Sequence, residues 1–148
     1  MRKKALIIKI FLVYFFITLN TFAKDLEAYF NEGKEFFNKK EYEKSKVYFE
    51  KDIVFNPKNE RSYLYLAKIF NENEEKKQEE MKLNNVLLLN PNNDEAIYML
   101  ILLKIKKSDY QESRKLIKKF DLVCNSFCSK KNEINEKFSK LIPLNENN

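Results

Sequence analysis

The chain has 148 residues with one Gly, three Pro, no His and no Trp, 34% of them charged, and a formal net charge of +6. Sheet architectures need frequent Gly, Asn-Gly or Asp-Gly turns, and neither dipeptide occurs here. The lack of His removes the commonest general base, Ser-His and Cys-His nucleophile pairs and every His-containing zinc site, and one Gly cannot build a phosphate-cradling loop.

The first element is a leader. Met1-Arg2-Lys3-Lys4 precedes an apolar run, uninterrupted from Ile10 to Leu19, and then Asn20-Thr21-Phe22-Ala23-Lys24. A positive start, a short apolar middle and a small residue before a polar stretch read as a secretory signal peptide over residues 1–23, cleaved after Ala23. The apolar core falls well short of the ~20 residues that span a bilayer comfortably. The alternative is an uncleaved membrane anchor over 5–23 with Lys9 snorkelling toward the headgroups. Either way the expected location is outside the cytoplasm, in the periplasm or cell envelope. Residues 1–23 hold Arg2, Lys3, Lys4 and Lys9 and no acid, so the rest of the chain carries only +2. Lys44, Lys46, Lys51, Lys76 and Lys77 alternate with Glu as on a solvated surface, and no nucleic-acid partner is expected.

Beyond the leader the sequence repeats. Asn56-Pro57-Lys58-Asn59 and Asn90-Pro91-Asn92-Asn93 are 34 residues apart, as are Tyr29 and Tyr63, Gly33 and Ala67, Phe36 and Phe70, Phe49 and Leu83, and Ile53 and Leu87. This period and order of landmarks resemble the tetratricopeptide-repeat family. The resemblance is closest in 26–59, where Tyr29, Gly33, Phe36, Ser45, Phe49 and Pro57 take the family places. The unit 60–93 keeps Tyr63, Leu66, Ala67, Phe70, Leu83 and Pro91. A third unit, 94–127, keeps Leu100 and Ser113 but has Ile101 for the small residue, Lys104 for an aromatic and Asn125 for the proline. Gly33 and Ala67 are expected to let paired helices approach closely, and the aromatics to fill the space between pairs. Pro57 and Pro91 disfavour helix at the preceding Asn, and Asn59 and Asn93 are placed to cap the helices that follow. Asp52 and Glu79 stand where the family places Ala, so each needs a partner or solvent.

The predicted helices are 25–38, 42–55, 60–72, 76–89, 94–106 and 109–122. A seventh at 129–142 carries Ile134, Phe138 and Leu141 on one stripe and reads as a capping helix, with 143–148 as a tail. The expected fold is all-α: a right-handed superhelical stack of three helix-turn-helix pairs plus a C-terminal cap, forming a domain over 24–142. Between the third pair and the cap, Cys124 and Cys128 make a C-x3-C pair. In an exported protein this reads first as a structural disulfide, with free thiols as the alternative; two thiols are too few for a metal site, and no cofactor is expected.

The resemblance implies binding in a concave groove lined by the first helix of each pair, which points to Phe30, Lys34, Phe37, Arg61, Leu64, Lys68, Asn71, Tyr98, Leu102 and Ile105. It also implies little for acidic chaperone tails, because the carboxylate-clamp places hold Phe30, Lys34, Tyr65, Glu95 and Met99. The expected function is an exported, non-enzymatic adaptor or scaffold that holds a protein or peptide. A membrane-anchored assembly subunit or a self-associating structural protein, such as a homodimer, is the alternative. Carboxylate pairs such as Glu74-Glu75 and Glu79-Glu80 read as solvated helix faces, leaving an envelope enzyme as a remote third.

Overall fold

The computed structural model describes residues 27–140; the leader, the end of the predicted cap and the tail lie outside them. The described residues are all-α. Helix α1 is described over 27–38, followed by α2 (Tyr42–Phe55), α3 (Glu60–Glu72), α4 (Lys76–Leu89), α5 (Asp94–Lys106), α6 (Tyr110–Val123), a 3-10 turn (Cys128–Lys130) and α7 (Lys131–Ser139). They pair as α1/α2, α3/α4 and α5/α6, with α7 as the cap. None is long and apolar enough to cross a membrane. The chain divides into two compact units, one up to Asn59 and one from Glu60 onward.

Each pair is closed by the same turn. Lys40, Glu74 and Ser108, 34 residues apart, have φ of 60°, 59° and 55°. In each turn the next residue donates its N–H back five positions: Glu41 to Phe36 O, Glu75 to Phe70 O and Asp109 to Lys104 O. This left-handed closure satisfies carbonyls that the helix end leaves over. It uses residues with a Cβ where glycine is usual. The second helix of the third pair starts at Tyr110 rather than 109, because Asp109 stays outside it and accepts the Glu112 N–H as a cap.

In the first unit, α1 and α2 meet at Gly33. A Cβ there would sit 2.8 Å from the fully buried Phe49 ring, so only glycine permits this approach. Ser45 Oγ donates to Gly33 O at 2.8 Å, while Tyr29 stacks on Phe55 and Phe36 on Tyr48 with centroids 5.5 and 5.2 Å apart. Asp52, wholly buried, receives a hydrogen bond from Asn59 Nδ2 at 2.7 Å. The punctuating Asn is thus a partner of the buried carboxylate.

In the second unit α5 is central. It packs against α4, α6 and α7 and buries Ala96, Ile97, Leu100, Ile101, Leu103 and Ile105 in one core with Leu64, Ala67, Leu83, Val86, Leu116 and Phe120. The cap joins this core through Ile134, 1% exposed, a burial that stabilises by about 2 kcal/mol. Lys104, in the place of a family aromatic, is held by Glu80 at 2.6 Å, and Lys107 shares that carboxylate at 2.6 Å. The lysine side chain is only 14% exposed and sends its charge to α4.

Candidate functional site

The first acid of α3 and of α5 ties down the junction that follows its pair. Glu60 Oε1 accepts from Asn90 Nδ2 at 3.0 Å and Asn93 Nδ2 at 3.4 Å. Thirty-four residues on, Asp94 Oδ2 accepts the backbone N–H groups of Asn125 and Phe127 at 2.8 and 2.9 Å. Burial pushes the Asp94 carboxyl up, but the N–H groups of Phe127, Asn125, Ser126 and Glu95 outweigh it and hold the group below its ordinary value. Asn93 also caps α5 by accepting the Ala96 N–H at 2.9 Å.

Between α6 and α7, Cys124 and Cys128 are joined in a disulfide with Cα atoms 5.2 Å apart. The residues they enclose form the loop that Asp94 clasps. Phe127 in that loop lies 5.8 Å from the Tyr98 ring, and Tyr98 Oη donates to Glu133 Oε1 of α7 at 3.0 Å. Burial first, then this hydrogen bond, raise the Tyr98 hydroxyl above its ordinary pKa, whereas the Lys130 ammonium beside Glu133 lowers that carboxyl. Clasp, disulfide and Tyr98 together fix the angle at which α7 leaves the third pair.

That angle creates a groove of about 850 Å³ in the second unit. Its floor is Met99, Leu102, Leu103 and Ile105 of α5, with Asn71 from α3 and Tyr98 beside them. Lys106 and, from the cap, Lys137 and Lys140 place cations around it, and Glu79 enters from the first turn of α4. Glu79 is 4% exposed. Burial raises its carboxyl to about 7, with Lys106 and Lys76 opposing the rise and Glu80 adding to it. No ion pair holds Glu79 among the described residues, and the helices do not splay around it. It is kept by becoming protonatable near neutrality.

Of the ten residues singled out in the sequence, this groove collects Asn71, Tyr98, Leu102 and Ile105. Leu64 is buried in the core of the same unit, Arg61 is exposed, and Lys68 is engaged by Glu95 at 2.7 Å and lies 4.9 Å from the Tyr65 ring. In the first unit Phe30 is buried 5.8 Å from the Phe49 ring, Phe37 lies 5.5 Å from Tyr42, and Lys34 is exposed. The sequence reading missed Glu79, Met99, Leu103, Lys106, Ser108, Lys137 and Lys140. Met99, Leu103 and Lys106 belong to α5 and were within reach of a wider helical face. The cap lysines had no signal, since their place depends on how α7 docks. Among the described residues no group of three His, Cys, Asp or Glu is arranged to hold a metal.

Solved structures share this arrangement of helices. A chain of the CopN-Scc3 complex aligns with a TM-score of 0.67 and 20% identity over 76% of this chain and 68% of that one. The fold is tetratricopeptide-like. The TPR2B domain of yeast Sti1, in a complex with pHsp70, aligns with a TM-score of 0.67 and 20% identity over 78% of this chain and 94% of that domain. No protein-family model matches the sequence, and no curated protein matches it.

Proposed function

We propose that the chain is a non-catalytic adaptor of the cell envelope that holds a segment of a partner protein in the groove of its second unit. The observation that carries this reading is the groove itself: an apolar floor from Met99, Leu102 and Leu103, ringed by Lys106, Lys137 and Lys140 and bordered by the amide of Asn71. Such a lining suits a helix or extended peptide that offers apolar side chains to the floor and acids to the rim. The likeness to a domain in complex with pHsp70 supports peptide holding as a use of this fold. The clamp places differ here, so an acidic chaperone tail is not the ligand we favour. The location rests on the leader, read as an export signal.

The test is crosslinking capture from native envelopes with the tagged full chain, against a Leu102→Ser/Asn71→Ala variant. Tyr98 is left intact because it also braces α7. A partner captured by the wild type and lost by at least about tenfold in the variant is expected, as for removal of a central apolar anchor. Equal capture by both proteins rejects the groove, and a crosslinked homodimer alone favours the self-associating alternative. Detection of the chain only in the cytoplasm, with residues 1–23 retained, rejects the envelope part of the proposal.

A further inference from the structure

The second helix of each pair carries its most exposed large apolar residue at the same repeat position. These are Val54 in the first unit and Leu88 and Leu122 in the second, 75%, 81% and 85% exposed, at intervals of 34 residues. Within the second unit, Met81 lies two turns before Leu88 on α4 and is also exposed. None of these residues lines the groove. Scattered exposed apolar residues need no explanation, but recurrence at one repeat position marks a face.

The charge around that face is one-sided. Every acid on α4 and α6 is already engaged or buried: Glu79 is buried, Glu80 holds Lys104 and Lys107, Glu112 lies 3.5 Å from Lys115, and Asp121 lies 3.1 Å from Lys131. Lys77 and Lys118 are exposed and have no ion-pair partner among the described residues. The outward side of α4 and α6 thus combines Met81, Leu88 and Leu122 with the unpaired Lys77 and Lys118.

We infer that this face of α4 and α6, with Leu88 and Leu122 near the C-terminal ends of the two helices, docks on the surface of a bilayer containing anionic phospholipids. Apolar side chains interspersed with Lys are the composition of an interfacial surface, where leucines enter the acyl boundary and lysines reach the phosphates. A second copy pairing through the same face would set Lys77 and Lys118 against like charges, because a two-fold interface brings one patch onto itself. Lysine is depleted from the cores of protein interfaces. The inference is independent of the groove, which is built by other residues.

The experiment is flotation of the full chain with vesicles of phosphatidylcholine alone and of phosphatidylcholine with phosphatidylglycerol. Wild type is compared with Leu88→Ser/Leu122→Ser and Lys77→Glu/Lys118→Glu. All three proteins carry the same leader, so differences between them report on the face. The altered side chains are exposed, and circular dichroism checks that helicity is retained. Binding to the anionic vesicles only is expected, weakened about tenfold or more in each variant and weakened by salt. Equal binding by all three proteins assigns the affinity elsewhere in the chain and overturns the inference, as does absence of binding to the anionic vesicles. A wild-type dimer by light scattering that Leu88→Ser/Leu122→Ser dissolves also overturns it, with a second copy as the occupant.

Discussion

Gly33 and Ala67 occupy equivalent places and show how one methyl group separates the two units. At Gly33 the Phe49 ring fills the space a Cβ would take, 2.8 Å away; in the second pair the equivalent places hold Ala67 and Leu83, both buried in one core. Gly33→Ala gains helix propensity of roughly 0.5–1 kcal/mol but forces a buried ring to move, at roughly 1–3 kcal/mol. A net loss of about 1 kcal/mol is expected, read as a lower denaturant midpoint at unchanged slope. The double variant Gly33→Ala/Phe49→Leu, which copies the second pair, is expected to recover part of it. The two buried acids follow a similar logic. Asp52 is met by the Asn59 amide supplied by the inter-repeat turn, whereas burial raises the Glu79 carboxyl to about 7.

At the scale of elements, three turns of unrelated sequence adopt one closure. Lys40, Glu74 and Ser108 all take the left-handed region, which costs a residue with a Cβ roughly 1–2 kcal/mol. Helix pairing imposes that geometry; the turn residues do not favour it. Ser108→Gly is therefore expected to raise stability by about 1 kcal/mol, the relief of strain exceeding the added freedom of the unfolded chain. Thermal unfolding measures it, and an unchanged or lower midpoint would show that this turn carries no strain. The cap is the opposite kind of element. A nine-residue helix is too short to persist alone, and α7 exists because Ile134, Tyr98 and the clasped, disulfide-closed loop hold it.

For the molecule as a whole, stability should be bounded by pH on both sides. Asp94 titrates below its ordinary value when folded, so its contribution is present above about pH 4 and is lost as pH falls through the lower folded value. Glu79 has the reverse sign. Its folded value of about 7 exceeds the ordinary 4.5, so its contribution is complete below about pH 4.5 and is lost as pH rises through about 7. A stability maximum on the acid side of neutrality is expected. Glu79→Gln should flatten the decline between about pH 5 and 8 and stabilise the protein at pH 8 by on the order of 2 kcal/mol. Thermal midpoints of the two proteins across that range check it; parallel curves would place the Glu79 carboxyl at an ordinary pKa.

Much was legible in the residues alone, because a 34-residue period, paired proline punctuation and helical apolar spacing are local signals that each pair repeats. They are enough to place the helices to within about three residues, though not the left-handed backbone of the turns that close each pair, and to mark Gly33 as a point of close approach. Asn71, Tyr98, Leu102 and Ile105 could be named as candidates since they share the first-helix positions that the repeat exposes to a groove. Tertiary packing alone decided the rest. It put Leu64 and Phe30 in the core, paired Lys68 with Glu95, raised Glu79 to about 7 and brought Lys137 and Lys140 from the cap to the groove. It also consumed the acids of α4 and α6, leaving Lys77 and Lys118 uncompensated. The reason is physical: periodicity records which face of a helix is apolar, whereas burial, ion pairing and protonation depend on which neighbours arrive from distant parts of the chain.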